Sequence, residues 1–155
     1  MIEVKAPNEY YLGAEPTVFL AGSIEMGTAV EWQRELITSV QDLDVLILNP
    51  RRDNWNTRVK QSIDDPEFAE QVNWELDAMD QSDIIVFYFD PDTKSPVTLM
   101  ELGLHANSGS ATLIVCCPEG FWRRGNVEIV CDRFRDITLV NTFSELVDEL
   151  RDMLG

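Results

Sequence analysis

The sequence predicts an α/β fold: a single domain over residues 1–155, with five parallel strands in one sheet and helices on both faces of it. Three observations predict it. Short apolar runs rich in strand formers alternate with segments whose apolar residues recur at helical spacing. The strand-type runs are continuously apolar, as strands covered on both faces are. At 155 residues the chain is long enough to bury one layered core. A doubly wound, flavodoxin-like (Rossmann-like) sheet with strand order 2-1-3-4-5 suits this size and alternation. Ligands of such sheets bind outside the carboxyl ends of the strands.

Each element follows from its own residues. "TVFLAG" (17–22) is strand one, ended by glycine, and "TAVEWQRELITSVQDL" (28–43) is a helix carrying Trp32, Leu36, Ile37 and Val40 at helical spacing. "DVLILNP" (44–50) is strand two, stopped by Asn-Pro. The polar stretch 51–65 lacks clean periodicity and is long for a loop, and long loops of compact domains are often functional. Pro66 stands near the start of a helix over 66–82, and "DIIVFYF" (83–89), the most apolar run, is the central strand. Ser95 caps a helix over 95–106, with Pro96 at the first position, where no backbone N–H is needed. Strand 111–117, loop 118–126, a short helix 127–134, strand 136–140 and an amphipathic helix 142–154 complete the chain.

Composition excludes several classes of function. The formal net charge of −16, with Lys5, Lys60 and Lys94 the only lysines, argues against nucleic acid and against an anionic membrane, both of which need a basic surface. No apolar run approaches the ~18–20 residues of a membrane span. The first residues lack the basic-then-apolar pattern of a secretory signal. Cys116, Cys117 and Cys131 are odd in number and have no metal-ligand spacing, so they read as reduced thiols of a cytoplasmic protein.

Two carboxylates are out of place. On the helix 95–106, Val97, Met100, Glu101 and Leu104 share a face, so Glu101 interrupts an apolar stripe. On the helix 66–82, Phe68, Val72, Leu76 and Met79 form the stripe and Glu75 falls within it, whereas Asp77 points away. An unpaired buried charge costs several kcal/mol, so folding alone does not choose either. The plain alternative is that each snorkels to solvent or caps a loop. Together, flanking the central strand beside a predicted cleft, they form a carboxylate pair in which one group can be ionised and the other protonated.

The loops 22–27, 49–55, 90–96 and 118–126 are expected to rim that cleft. Gly22 and Ser23 in "AGSIEMG" match neither a dinucleotide fingerprint nor a phosphate loop, but can offer backbone N–H groups to a ligand. Arg51, Arg52, Arg123 and Arg124 are unusual cations in so acidic a chain and could meet a phosphate or carboxylate. Trp55 and Trp122 could stack on a planar ring or seal the loops. His105, the only histidine, reads as a packing residue. A phosphoacceptor receiver fits the size, with Asp90 ending strand three. Strand one, however, lacks the acid pair for Mg²⁺, and "TLVNT" lacks a lysine. A non-catalytic nucleotide-sensing domain would keep the cleft without needing Glu101.

"FLAGSI", "NPRR" with Trp55, "SDIIVFYFDPDTKSP" and "ELGLHA" resemble the nucleoside 2-deoxyribosyltransferase family and its compact nucleoside 2-deoxyribosyltransferase-like branch, from about Thr17 to Val130. The resemblance implies transfer of a 2-deoxyribosyl group between nucleobases, with retention, as in nucleotide salvage. Glu101 matches the nucleophile that attacks C1′, and Glu75 matches the acid that handles the proton of the base, a glutamate where relatives usually have aspartate. Ser95 matches a position contacting the 5′ end of the sugar. Phe19 aligns with a tyrosine common in relatives, so the hydroxyl that would orient the nucleophile is absent. Asn126 is the candidate for a residue lent to a neighbouring subunit's pocket, which implies a homo-oligomer, dimer or higher, with a shared active site. Nucleosides, nucleobases or nucleotides are the implied partners, and no metal or redox cofactor is implied. A related branch hydrolyses deoxynucleoside 5′-monophosphates, and Arg51, Arg52 and Lys94 would suit that phosphate.

Overall fold

The structure, a computed structural model, describes residues 1–27 and 29–155, with Met26 described by its backbone alone. Six parallel strands form one sheet in the order β1-β3-β2-β4-β5-β6: β1 (Ile2–Lys5), β2 (Thr17–Gly22), β3 (Leu46–Asn49), β4 (Ile84–Tyr88), β5 (Thr112–Cys116) and β6 (Ile137–Val140). The five predicted strands are β2 to β6, and they stand in the predicted order. The count of five was wrong. "IEVK" adds β1 at the edge, paired to β3 alone from Ile2 opposite Leu46 to Lys5 opposite Asn49. Its first two residues are exposed and the next two half-buried. Such an edge strand needs no continuous apolar run, so hydropathy did not announce it.

Among the described residues five α-helices cover the sheet: α1 (Trp32–Ser39), α2 (Pro66–Asp80), α3 (Pro96–Ser108), α4 (Arg124–Arg133) and α5 (Phe143–Leu154). Successive strand residues point to opposite faces, so each strand feeds two cores. Phe19, Leu48, Phe87 and Val115 meet Met79, Leu102 and Val127 of α2, α3 and α4. Val18, Leu20, Val86 and Ile114 meet Trp32 and Leu36 of α1 and Leu146 and Leu150 of α5. The first predicted helix was expected from residue 28; Thr28 lies outside the described residues, and α1 begins at Trp32. Helix α4 starts at Arg124, so Asn126 belongs to its first turn and not to a loop.

Local chemistry sets the helix ends. Asp65 caps α2, its carboxylate accepting from the backbone N–H of Glu67 and Phe68, with Pro66 directly behind it. Thr142 and Glu145 form a reciprocal capping box on α5. Helix α3 corrects the sequence reading. Ser95 occupies the cap position but makes no side-chain cap bond, because its backbone is left-handed (φ 45°) and its hydroxyl is engaged elsewhere. Beside it, β2 ends at a glycine for a steric reason: a Cβ on Gly22 would lie 2.6 Å from the Trp32 ring and 2.6 Å from the Tyr88 carbonyl.

Candidate active site

A cavity of about 400 Å³ opens beyond the carboxyl ends of β2 and β3, on the α2/α3 side of the sheet. Its size suits a nucleoside-sized ligand. The strand order reverses direction beside β2 and β4, which is where a doubly wound sheet leaves a crevice. Three of the four loops expected at the rim contribute: Ser23, Ile24 and Glu25 after β2, Pro50, Arg52 and Trp55 after β3, and Ser95 and Pro96 after β4. The long 51–65 segment also supplies Asn56, Val59 and Gln61.

The fourth loop, 118–126, does not reach the cavity. The Trp122 indole donates to the Lys94 carbonyl (2.9 Å), and its ring lies under the Lys94 ammonium and the Arg123 guanidinium. Arg124 donates to the carbonyl of Cys117, the amide oxygen of Asn141 and the carboxylate of Glu128. Asn126 is exposed on α4, beside a separate shallow groove that also involves Leu102, Trp122 and Val127.

Helix α2 sends five residues to the cavity from one side: Glu67, Phe68, Gln71, Val72 and Glu75. Gln71 is buried, and its side-chain amide donates both to the Pro50 carbonyl (3.1 Å) and to Glu75 Oε1 (2.7 Å). Glu75 is thereby held toward the cavity from its own helix. Helix α3 contributes Thr98 and Glu101, both buried.

Here the sequence reading of α3 fails in detail. Met100 and Leu104 are 57% and 52% exposed and face outward, and Val97, 55% exposed, stands at the rim of the cavity. The buried face is Thr98, Glu101, Leu102, His105 and Ala106. Three of these five are polar, so hydropathy pointed to the wrong side of the helix. Glu101 is still inside, at 7% exposure, but not because it shares a face with those apolar residues.

The two carboxyls disturb each other. Burial, chiefly, and then the charge of Glu75 push Glu101 up to about 8. Burial pushes Glu75 up to about 7, against the opposing hydrogen bond from Gln71. Desolvation and like charge both disfavour the doubly ionised pair, so the pair keeps a proton around neutral pH. His105 lies one turn beyond Glu101, buried, and outside the cavity. Burial lowers its pKa, partly countered by Asp80, and its Nδ1 has no partner among the described residues. It packs as a neutral imidazole.

The mouth of α3 is closed by hydroxyls. Ser23 Oγ lies 2.5 Å from Ser95 Oγ and 2.9 Å from Thr93 Oγ1, and Thr93 Oγ1 lies 2.8 Å from Ser95 Oγ. Ser23 also accepts from the Asp90 N–H, which ties the β2 and β4 loops together. The Ser95 N–H donates to Glu25 Oε1 at 3.1 Å.

Of the residues singled out in the sequence, Phe19, Gly22, Ser23, Trp55, Glu75, Ser95 and Glu101 meet in this cavity. Arg51 does not. Its buried guanidinium donates to the carbonyls of Gly27, Ala29 and Val30 and to Gln33 Oε1, pinning the loop after β2. Arg52 lines the cavity instead, paired with Glu67 at 3.3 Å. Gln71, Thr98 and Glu25 were not identified from the sequence. Gln71 stands one turn before Glu75, a spacing that could have signalled it. Among the described residues no group of three or more His, Cys, Asp or Glu is arranged to hold a metal ion. No helix described is long and apolar enough to cross a membrane.

A family model described as "Nucleoside 2-deoxyribosyltransferase like" matches residues 15–121, more than half of the chain. No curated protein sequence matches it. Among solved structures, a conserved protein from Enterococcus faecalis V583 superposes with a TM-score of 0.60 at 15% identity, over 91% of this chain and 100% of that one. The CMP N-glycosidase BcmB of Clostridium botulinum gives a TM-score of 0.58 at 16% identity, over 89% of this chain and 99% of its own. At these identities the two structures share the fold.

Proposed function

Since the chain belongs to the nucleoside 2-deoxyribosyltransferase-like family, we propose that its cavity binds a nucleoside and that Glu101 and Glu75 exchange the base on its sugar. The observation that carries this reading is the convergence of two carboxyls, from two helices, in one cavity where they cannot both be ionised at little cost. Glu101 is the more strongly raised of the two, so the reactive state is the less populated arrangement, with the pair's proton on Glu75 and Glu101 ionised. The Glu101 carboxylate then attacks C1′, the C1′–N bond breaks, and the departing base nitrogen takes the proton from Glu75. The sugar is left as an ester of Glu101. A second base attacks C1′ from the face the first one left, returns its proton to Glu75 and frees the Glu101 carboxylate. Two inversions give net retention.

The remaining residues are assigned around this centre. Trp55 and Phe68 flank the planar base, and Phe19 and Gly22 form the floor. Ser23 and Ser95 face the 5′ end of the sugar. Asn126, exposed on α4, is lent to a neighbouring subunit of a homo-oligomer. The activity is one of nucleotide salvage in the cytoplasm.

Hydrolysis is the second reading, supported by the fold shared with a CMP N-glycosidase. Water would then replace the second base as acceptor. One experiment separates the readings: each 2′-deoxynucleoside is incubated with purified protein, with and without a second free base, and products are followed by chromatography. A new deoxynucleoside formed only with the second base is the expected result, lost by at least ~10³-fold in Glu101→Ala. Free base and sugar released at the same rate without acceptor would mean hydrolysis. No turnover, with Glu101→Ala indistinguishable from wild type, would sink both.

A further inference from the structure

The cavity is acidic beyond the two catalytic carboxyls. Among the described residues its ionisable lining is Glu25, Glu67, Glu75 and Glu101 against Arg52. The Arg52 guanidinium is already paired with Glu67. The other four cations that the sequence offered to a phosphate lie outside the cavity. Arg51 is spent on loop carbonyls, Lys94 and Arg123 lie over Trp122, and Arg124 is bound to Glu128 and Asn141.

Where the sugar's 5′ end would lie, the best anion donor is also taken. The Ser95 N–H, at the start of α3, is the kind of helix-terminal amide that phosphates use. It donates to Glu25 Oε1 instead. Glu25 and Ser95 both hold left-handed backbones, φ 48° and 45°, and strain of this kind persists only where the surroundings over-determine it. The hydroxyl of Ser95 itself lies 2.5 Å from that of Ser23. This cluster suits a group that both donates and accepts: a 5′-hydroxyl can donate to the Glu25 carboxylate and accept from a serine hydroxyl. A phosphate dianion only accepts, and would place like charges at hydrogen-bond distance.

Resting on the nucleoside reading above, we propose that Glu25 is a specificity residue: it admits nucleosides with a free 5′-hydroxyl and excludes their 5′-monophosphates. The test is calorimetric titration of Glu101→Ala protein, which binds without turnover, with each 2′-deoxynucleoside and its 5′-monophosphate. The expected result is at least one nucleoside binding at least 30-fold more tightly than its monophosphate. Adding Glu25→Gln, which keeps the shape and removes the charge, narrows that ratio at least tenfold. Glu119→Gln, the same change at an exposed position outside the cavity, leaves the ratio unmoved. Equal or tighter binding of the monophosphate, a ratio unmoved by Glu25→Gln, or binding of neither ligand would overturn the proposal. The ratio in Glu101→Ala protein decides even if the Glu25 variant does not fold. Selective binding with no turnover by wild type would overturn the enzymatic reading and leave this one standing; turnover with equal binding would do the reverse.

Discussion

Helices α2 and α3 each carry a glutamate to the same cavity, but they present opposite faces to it. Helix α2 turns its apolar stripe inward: Phe68 and Val72 line the cavity with Glu75, and Met79 is buried in the core. Helix α3 leaves its stripe more than half exposed, with Met100 and Leu104 outward and Val97 at the cavity rim, and buries Thr98, Glu101 and His105. Apolar periodicity locates the inner face of a helix when most of that face is apolar, as on α2. Where most of the inner face is polar, as on α3, the signal inverts. The helix that carries the proposed nucleophile is the one whose pattern misleads.

The comparison is broken most sharply at the two carboxyls. Glu75→Gln removes the proposed proton donor and keeps its shape, so kcat/KM is expected to fall roughly 10²–10⁴-fold. Wild type should show a bell-shaped profile. The rate rises as the pair loses its first proton, and falls as pH passes about 8 and the second is lost. In Glu75→Gln the alkaline fall should vanish, because no proton remains to be lost from that position. Persistence of the fall in the variant would remove Glu75 from the acid role.

The two faces of α3 can be compared directly through two leucines. Leu102 is 2% exposed and Leu104 is 52% exposed. Leu102→Ala is expected to cost about 2–5 kcal/mol in denaturant unfolding, and Leu104→Ala no more than about 0.5 kcal/mol. Equal losses would mean that the outward face is packed in solution, against another copy or another element.

A smaller effect follows from the raised carboxyls. A group whose folded pKa exceeds its unfolded value binds its proton more tightly when folded, so its stabilising contribution is lost as pH rises. For Glu101 that loss runs from the ordinary carboxyl value of 4.5 to about 8. Glu101→Gln has no proton to lose. Relative to wild type it should gain roughly 1–3 kcal/mol of stability between pH 5 and pH 9. A constant difference across that range would show that Glu101 is not buried in this way.

Much of this was legible in the residues. Continuous apolar runs marked β2 to β6, and their alternation with helices supplied the order of those five strands. Glu75 stood out because it falls within the stripe of Phe68, Val72, Leu76 and Met79. Glu101 stood out too, although the face assigned to it was wrong, because an acid amid apolar residues is informative on either side of the stripe. Gly22, Ser23, Trp55 and Ser95 were placed at the cavity by their loops. Arg51 and Arg52 were indistinguishable as neighbours in one loop. Only the surrounding carbonyls show that the first is a brace and the second a wall. Glu25 was invisible for the same reason, since its partner Ser95 is distant along the chain, whereas Gln71 had a local signal in its spacing to Glu75.

The sequence by itself determined the α/β class, the order of five strands and the end of the sheet at which loops gather, because burial on both faces and turn chemistry are local properties of the chain. The tertiary structure decided which face of α3 is inside, which arginine reaches the cavity and which carboxylate occupies the Ser95 amide. Those outcomes depend on hydrogen bonds and desolvation between segments far apart in sequence, which no local pattern encodes.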